Sequence, residues 1–296
     1  MGVTTSEVED VLPLTPLQRG LLFHSEFDGD DPDSYTVQLV LDLDGPLDVP
    51  ALRAAATTVL RRHPALRAGF GHVGDETVQV VRARVELPWT EAVATGPELD
   101  ELLADERARR FDMRRPPLLR FLLVRTGPRN HRLALTYHHI LLDGWSVALL
   151  LNELTRLYRS SGDDRNLPRP VPHREHLAWL GKQDTAAGRE AWAAELTGLS
   201  GPTLLAGRTP PPGAAPAPSR RREVELSTAL TARVAALART SRSTTNTVVQ
   251  VVWALLVSRL SGRTDVVLGA TTSGRPADLP GVERMVGLLI LSLIHI

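Results

Sequence analysis

The run YHHILLDGWS, from Tyr137 to Ser146, gathers the side chains of this sequence best suited to chemistry. An imidazole near its ordinary pKa of ~6.5 can accept a proton at neutral pH, and His138 and His139 stand a few residues before Asp143 and Gly144. At the end of a strand neighbouring side chains point to opposite faces, so one histidine can face a cleft while the other packs inward. The same alternation argues against joint chelation of one metal, because dihistidine metal patterns use helical i, i+4 spacing; no metal is assigned. The residues alone leave two readings open. One is a pair of hydrogen-bonded structural histidines beside a loop aspartate, and the other is a catalytic histidine with supporting neighbours.

The flanking sequence must position this run. HRLALTYHH reads as a strand paired with LLRFLLVRTG around Pro128 and Asn130, and VALLLNELTRLYRSSG carries apolar residues at helical spacing behind a capping Ser146. The motif therefore falls on a strand-to-helix loop. Upstream, SYTVQLVLDLD (34–44) alternates as a half-buried strand, Asp48 and Pro50 open a helix that Pro64 stops, ETVQVVRARVEL reads as a strand, and 97–110 as a charged surface helix. The polar, Pro-rich SGDDRNLPRPVP places a boundary near residue 170, giving regions 1–170 and 171–296. Beyond it, a helix is expected over 175–196, a connecting loop at GRTPPPGAAPAPSRR, a strand at REVELS, helices at LTARVAALARTSR and TNTVVQVVWALLVSRLSG, and a strand at DVVLGATTSGRP.

Composition narrows the function classes. With 296 residues, 43% hydrophobic and 23% charged, the chain can bury substantial cores. Lys plus Arg balance Asp plus Glu at 34 each, without the basic excess of a nucleic-acid binder. The absence of cysteine excludes disulfides, thiolate nucleophiles and Cys-ligated zinc, and fits a reducing cytoplasm. MGVTTSEVEDVLPLTP lacks the apolar stretch of a secretory signal, and Gly2 with Ser6 meets a myristoylation pattern that nothing nearby supports. The run MVGLLILSLIHI is shorter than the ~20 residues a membrane span needs. No membrane or nucleic-acid partner is expected, and the chain reads as monomeric.

YHHILLDGWS resembles the HHxxxDG signature of condensation domains in non-ribosomal peptide synthetases. PLTPLQRGLLFHSEF resembles the first core motif of that family and RRHPALRAGF (61–70) the second; HREHLAWL is similar to a YxDYAxW-type segment with His173 and His176 where aromatics are more usual. TTSGRP and GVERMVGLLI resemble the approach to the fifth motif. These ordered matches run from residue 11 to 290. The resemblance implies an α+β fold of two chloramphenicol acetyltransferase-like lobes in a V, the second incomplete, with a tunnel between them. It also implies upstream and downstream peptidyl carrier domains presenting acyl groups on phosphopantetheine arms, a neighbouring adenylation domain, and no cofactor held by the chain itself.

On the same resemblance, His139 maps to the residue assigned catalytic importance, as base or as a group that positions the amine, and His138 supports it. Asp143 becomes a structural ion-pair partner, with Arg275 as the match, in a pair bridging the lobes. Gly144 either lets a thioester or oxyanion approach closely or serves as a turn glycine. Arg67 is expected to support the site from the second motif, with a solvated helix-end arginine as the alternative. Trp145 and Ser146 read as packing and capping residues. Cyclising relatives replace the histidines, which argues against that subclass; epimerising relatives keep them, while the opening motifs favour peptide-bond formation, including the kind that follows an epimerisation step. After MVGLLI the family pattern continues through an Asn-Thr pair and roughly a hundred more residues, whereas Leu291 to Ile296 match nothing in it, so a truncated or artefactual terminus is expected. A non-catalytic carrier-docking domain and a coenzyme A-dependent acyltransferase are the competing readings.

Overall fold

The computed structural model describes residues 7–27, 33–199, 201–205 and 223–295. The myristoylation pattern and the loop at 207–221 lie outside them. Contacts gather the chain into two compact units, Met1–Gln183 with Ser273–Leu291, and Asp184–Thr272 with Ser292–Ile296.

The first unit opens with strand β1 (Val8–Pro13) and helix α1 (Pro16–Phe27), then β2 (Thr36–Asp44) and α2 (Val49–Arg62). Asp48 caps α2 by accepting from the Ala51 amide at 2.9 Å, and buried Leu52, Ala55, Ala56, Val59 and Leu60 form the single apolar stripe of an amphipathic helix. A 3-10 turn at Pro64–Arg67 leads into β3 (Ala68–Val73) and β4 (Glu76–Arg82), followed by β5 (Trp89–Val93), α3 (Gly96–Ala108), β6 (Leu119–Arg125), β7 (Asn130–His138) and α4 (Gly144–Arg159).

Two sheets result, one ordered β1-β4-β3 and the other β2-β7-β6-β5. The second is mixed, with β6 antiparallel to β7 and parallel to β5. Strand β6 is buried without alternation from Leu119 to Val124, and apolar there except for Arg120, because both sheet faces are covered. Leu119, Phe121 and Leu123 join the core that includes α2 and α4 residues, whereas Leu122 and Val124 join Ala94 and Leu99 near α3. Helix α5 (His173–Leu180) also belongs to this unit. The expected division near residue 170 followed the polar connector, yet the chain beyond it stays with the first unit. Val171 and Trp179 pack on Leu279, Val282, Met285 and Leu289, which draws the 273–291 segment in as well.

The second unit contains α6 (Thr185–Glu195), α7 (Thr228–Thr240), α8 (Thr245–Ser261) and β8 (Leu268–Thr272), which pairs with β9 (Leu291–His295). The helix expected over 175–196 is thus two helices, because the chain turns at Gly181 and Asp184 starts a new one by accepting from the Ala186 and Ala187 amides. The strand expected at REVELS does not form over 223–226. An alternating pattern makes a strand only where the backbone finds a neighbour, and Val224 is 82% exposed.

Candidate active site

Strand β7 delivers the two histidines to a tight loop. His138 is its last residue, opposite Thr36 of β2, and is fully buried. Its Nδ1 accepts from the Ile140 amide at 3.1 Å, which leaves Nε2 as the protonated nitrogen, 3.1 Å from Asp33 Oδ2. Both ring nitrogens are engaged. His139 differs: it is half-buried, its amide donates to Tyr35 O at 2.9 Å, and among the described residues its imidazole has no hydrogen bond or ion pair. The loop is held by further main-chain bonds from Leu141 to His138 O, Leu142 to His139 O and Asp143 to Gly287 O, and by Gln18, which donates to Ile140 O.

Asp143, fully buried, ends the loop and caps α4, accepting from the Ser146 amide at 2.7 Å. The capping role expected of Ser146 therefore falls to Asp143; both are capping residue types, and Ser146 lies three positions inside the helix, where its amide is the donor. Asp143 also accepts from Arg275 Nη2 at 3.1 Å and from the Leu289 amide at 3.1 Å. The Arg275 side chain is buried, and Nη2 reaches Ser146 Oγ and Met285 O as well. Both members of this ion pair lie in the first unit. Burial lowers the Arg275 pKa against the opposing charge of Asp143, and raises that of Tyr137, which the Asp143 charge raises further.

Behind this pair lie His173 and His176 of α5, their rings 5.6 Å apart, with His176 stacked on Trp179. Burial, and secondarily the neighbouring His176, pushes His173 down to about 3; burial and then the Arg275 charge lower His176. Both are neutral imidazoles at pH 7. Gly287 touches both sides of the arrangement: its amide donates to Ser146 Oγ, its carbonyl accepts from Asp143 N and Ser146 Oγ, and a Cβ there would sit 2.6 Å from His173 Cδ2.

Gly144 begins α4 and is exposed, and among the described residues a Cβ on it would meet nothing within 4 Å. Its φ is not in the left-handed region, so its backbone conformation does not require glycine. Trp145 is half-exposed, its Nε1 donating to Glu283 O, with the Arg275 guanidinium 5.3 Å from its ring centre.

The structure does not bring Arg67 to this loop. At the end of the 3-10 turn its Nη1 donates to Glu9 Oε2 at 2.6 Å and to the carbonyls of Arg82 and Ala83, so it ties β1 to the end of β4. A buried arginine is directed by carboxylate and carbonyl partners, and here those lie on the three-stranded sheet. Asp33 is the residue that sequence reasoning missed. Its partners, Ser25 and His138, are separated from it by 8 and 105 positions, a relation that no local spacing carries.

The family model described as "Condensation domain" matches residues 8–293, so residues 291–293, expected to match nothing in the family, fall inside the match. Bacitracin synthase 3 of Bacillus licheniformis is 32% identical across 96% of this chain, which spans 5% of that protein. Surfactin synthase subunit 3 of Bacillus subtilis (strain 168) is 30% identical across 96% of this chain, which spans 23% of that protein. Among solved structures, the X-domain from teicoplanin biosynthesis superposes with a TM-score of 0.81 at 26% identity, over 99% of this chain and 66% of that one. The first condensation domain of the CDA synthetase shares the fold, with a TM-score of 0.76 at 21% identity over 97% of this chain and 69% of that one. The chain belongs to the condensation-domain family of non-ribosomal peptide synthetases. That family acts on substrates held by the phosphopantetheine arms of carrier domains. Among the described residues no helix is long and apolar enough to cross a membrane.

Proposed function

We propose that this chain forms an amide bond between two carrier-bound substrates, with His139 as the catalytic residue. The carrying observation is the asymmetry of the histidine pair: His138 is buried with both nitrogens engaged, and His139 is half-buried with an unengaged ring on a loop braced from several sides. In the step, the acceptor's amine nitrogen attacks the donor's thioester carbonyl. The C–N bond forms, the C–S bond breaks, and the proton lost by the amine goes to the departing thiolate. His139 takes that proton in transit, or orients the amine through the same ring nitrogen. General-base help contributes ~10²- to 10⁴-fold, and placing two tethered substrates contributes as much or more.

The supporting residues have separate parts. Asp143 and Arg275 hold the start of α4, and His138 holds the loop. Among the described residues nothing crowds a Cβ at Gly144 and its φ is not left-handed, which favours close approach of a thioester at that point. The upstream and downstream carrier domains and a neighbouring adenylation domain are the partners of this reading, and the cytoplasm its compartment.

A binding role without catalysis is the second reading, favoured by one solved relative of the same fold, an X-domain in complex with OxyB, at 25% identity and a TM-score of 0.80. The two separate in an assay with two acyl-loaded carriers. The parent chain should form amide and His139→Ala should lose ~10²- to 10⁴-fold while staying folded. Unchanged amide formation in a folded His139→Ala variant would falsify the catalytic assignment; carrier binding without turnover by the parent would favour the binding role, and turnover of free coenzyme A thioesters a third acyltransferase class.

A further inference from the structure

We infer that Asp33 is a positioning residue for the amide-forming site, acting on His139 by fixing the tautomer of His138. The inference rests on the function proposed above for His139. Asp33 stands just before β2, with its side chain only 1% exposed. Its Oδ2 accepts from His138 Nε2 at 3.1 Å and from Ser25 Oγ at 2.8 Å, and its Oδ1 accepts from the Tyr35 amide at 2.9 Å.

Two of these bonds, from His138 and from Tyr35, lead to His139. The ring of His138 accepts from the Ile140 amide only while its proton is on Nε2, and Asp33 is the acceptor that keeps it there. In the other tautomer an Nδ1–H would face the Ile140 N–H, and a bare Nε2 would face a carboxylate oxygen; both contacts are repulsive. On the other side, Asp33 holds the Tyr35 amide while the Tyr35 carbonyl accepts from His139 N. The residues before and after His139, and its own amide, are thus tied to one carboxylate. That carboxylate is ionised: burial raises its pKa, but the hydrogen bonds from His138, Tyr35 and Ser25 outweigh burial and hold it well below the usual range.

Asp33→Asn tests the idea, because a carboxamide has one acceptor oxygen for a position where acceptors are needed on both sides. The full-length chain is read in two ways: 15N chemical shifts of the His138 imidazole, and steady-state amide formation with two loaded carriers. The parent at pH 7 should show His138 protonated on Nε2 alone. The variant should show that tautomer lost or mixed, with kcat down on the order of 10²-fold and KM changed less than about threefold, a milder effect than the ~10⁴ seen where an aspartate orients the base directly. A parent His138 protonated on Nδ1, or on both nitrogens, overturns the inference even where Asp33→Asn fails to fold. So does a folded variant with its tautomer unchanged, or with kcat within twofold of the parent. A parent that makes no amide defeats the function proposed above, whereas the imidazole spectra still decide whether Asp33 sets the tautomer.

Discussion

The two compact units treat their apolar residues differently. In the first, Leu118, Leu122 and Leu66 are at most 2% exposed, and β6 is covered on both faces. In the second, Ala238 and Val257 are the only buried apolar side chains among the described residues, while Val252, Leu255 and Leu260 of α8 are each at least 60% exposed. Helix α8 is apolar around most of its circumference, and such a helix is matched only by apolar neighbours on several sides. The first unit supplies partners for its own pattern; the described part of the second does not. The candidate site lies wholly in the first, so its geometry rests on a filled core.

Four experiments test this contrast. The largest effect is expected from Asp143→Ala, which leaves Arg275 buried without its counter-charge and removes the α4 cap: a loss of about 3–5 kcal/mol by denaturant unfolding. Next, Leu118→Ala should cost about 2–5 kcal/mol, whereas Leu255→Ala should stay within about 0.5 kcal/mol. Equal costs would show that α8 is packed as tightly as the core of the first unit. Third, acidification should destabilise the first unit. His173 is neutral when folded, with its pKa near 3, and titrates near 6.5 when unfolded. The unfolded chain therefore binds more protons between those values, so stability is full above pH 6.5 and falls toward pH 3, by up to about 1.4 kcal/mol per pH unit per proton. Asp33 adds a loss below pH 4 in the same direction, since its folded pKa is depressed. His173→Phe should flatten the upper part of a melting-temperature profile against pH. Smallest is the contrast of two glycines: Gly287→Ala should cost about 1–3 kcal/mol through its clash with His173, and Gly144→Ala within about 0.5 kcal/mol, with its effect appearing in turnover instead.

How far the sequence could be read followed the range of each interaction. Strand β2, helix α2 and the β6–β7 pair were legible because alternation, a capping Asp48 and a stopping Pro64 act within a few residues. The histidine loop was placed correctly on a strand-to-helix turn for the same reason. Asp143 and Ser146 competed as caps only three positions apart, and the outcome followed from Asp143 being held at once by Arg275 and the Leu289 amide, partners more than 130 positions away. The strands β1, β3 and β5 went unread because each is short and takes its definition from its neighbour. Arg67 was drawn toward the site by its motif, whereas its partners lie on the other sheet.

Asp143 also changes how the HHxxxDG signature is interpreted in this chain. A carboxylate that starts a helix and neutralises a buried guanidinium is under selection for foldedness whether or not any reaction takes place. A chain of this fold without chemistry would still need this aspartate for stability and, by the same reasoning, the buried first histidine. Two of the four letters are therefore architecture, and an inactive Asp143 variant would be silent about mechanism. His139, with an imidazole that the described residues leave unengaged, and Gly144, which they leave uncrowded, are the letters whose loss would bear on the proposed chemistry.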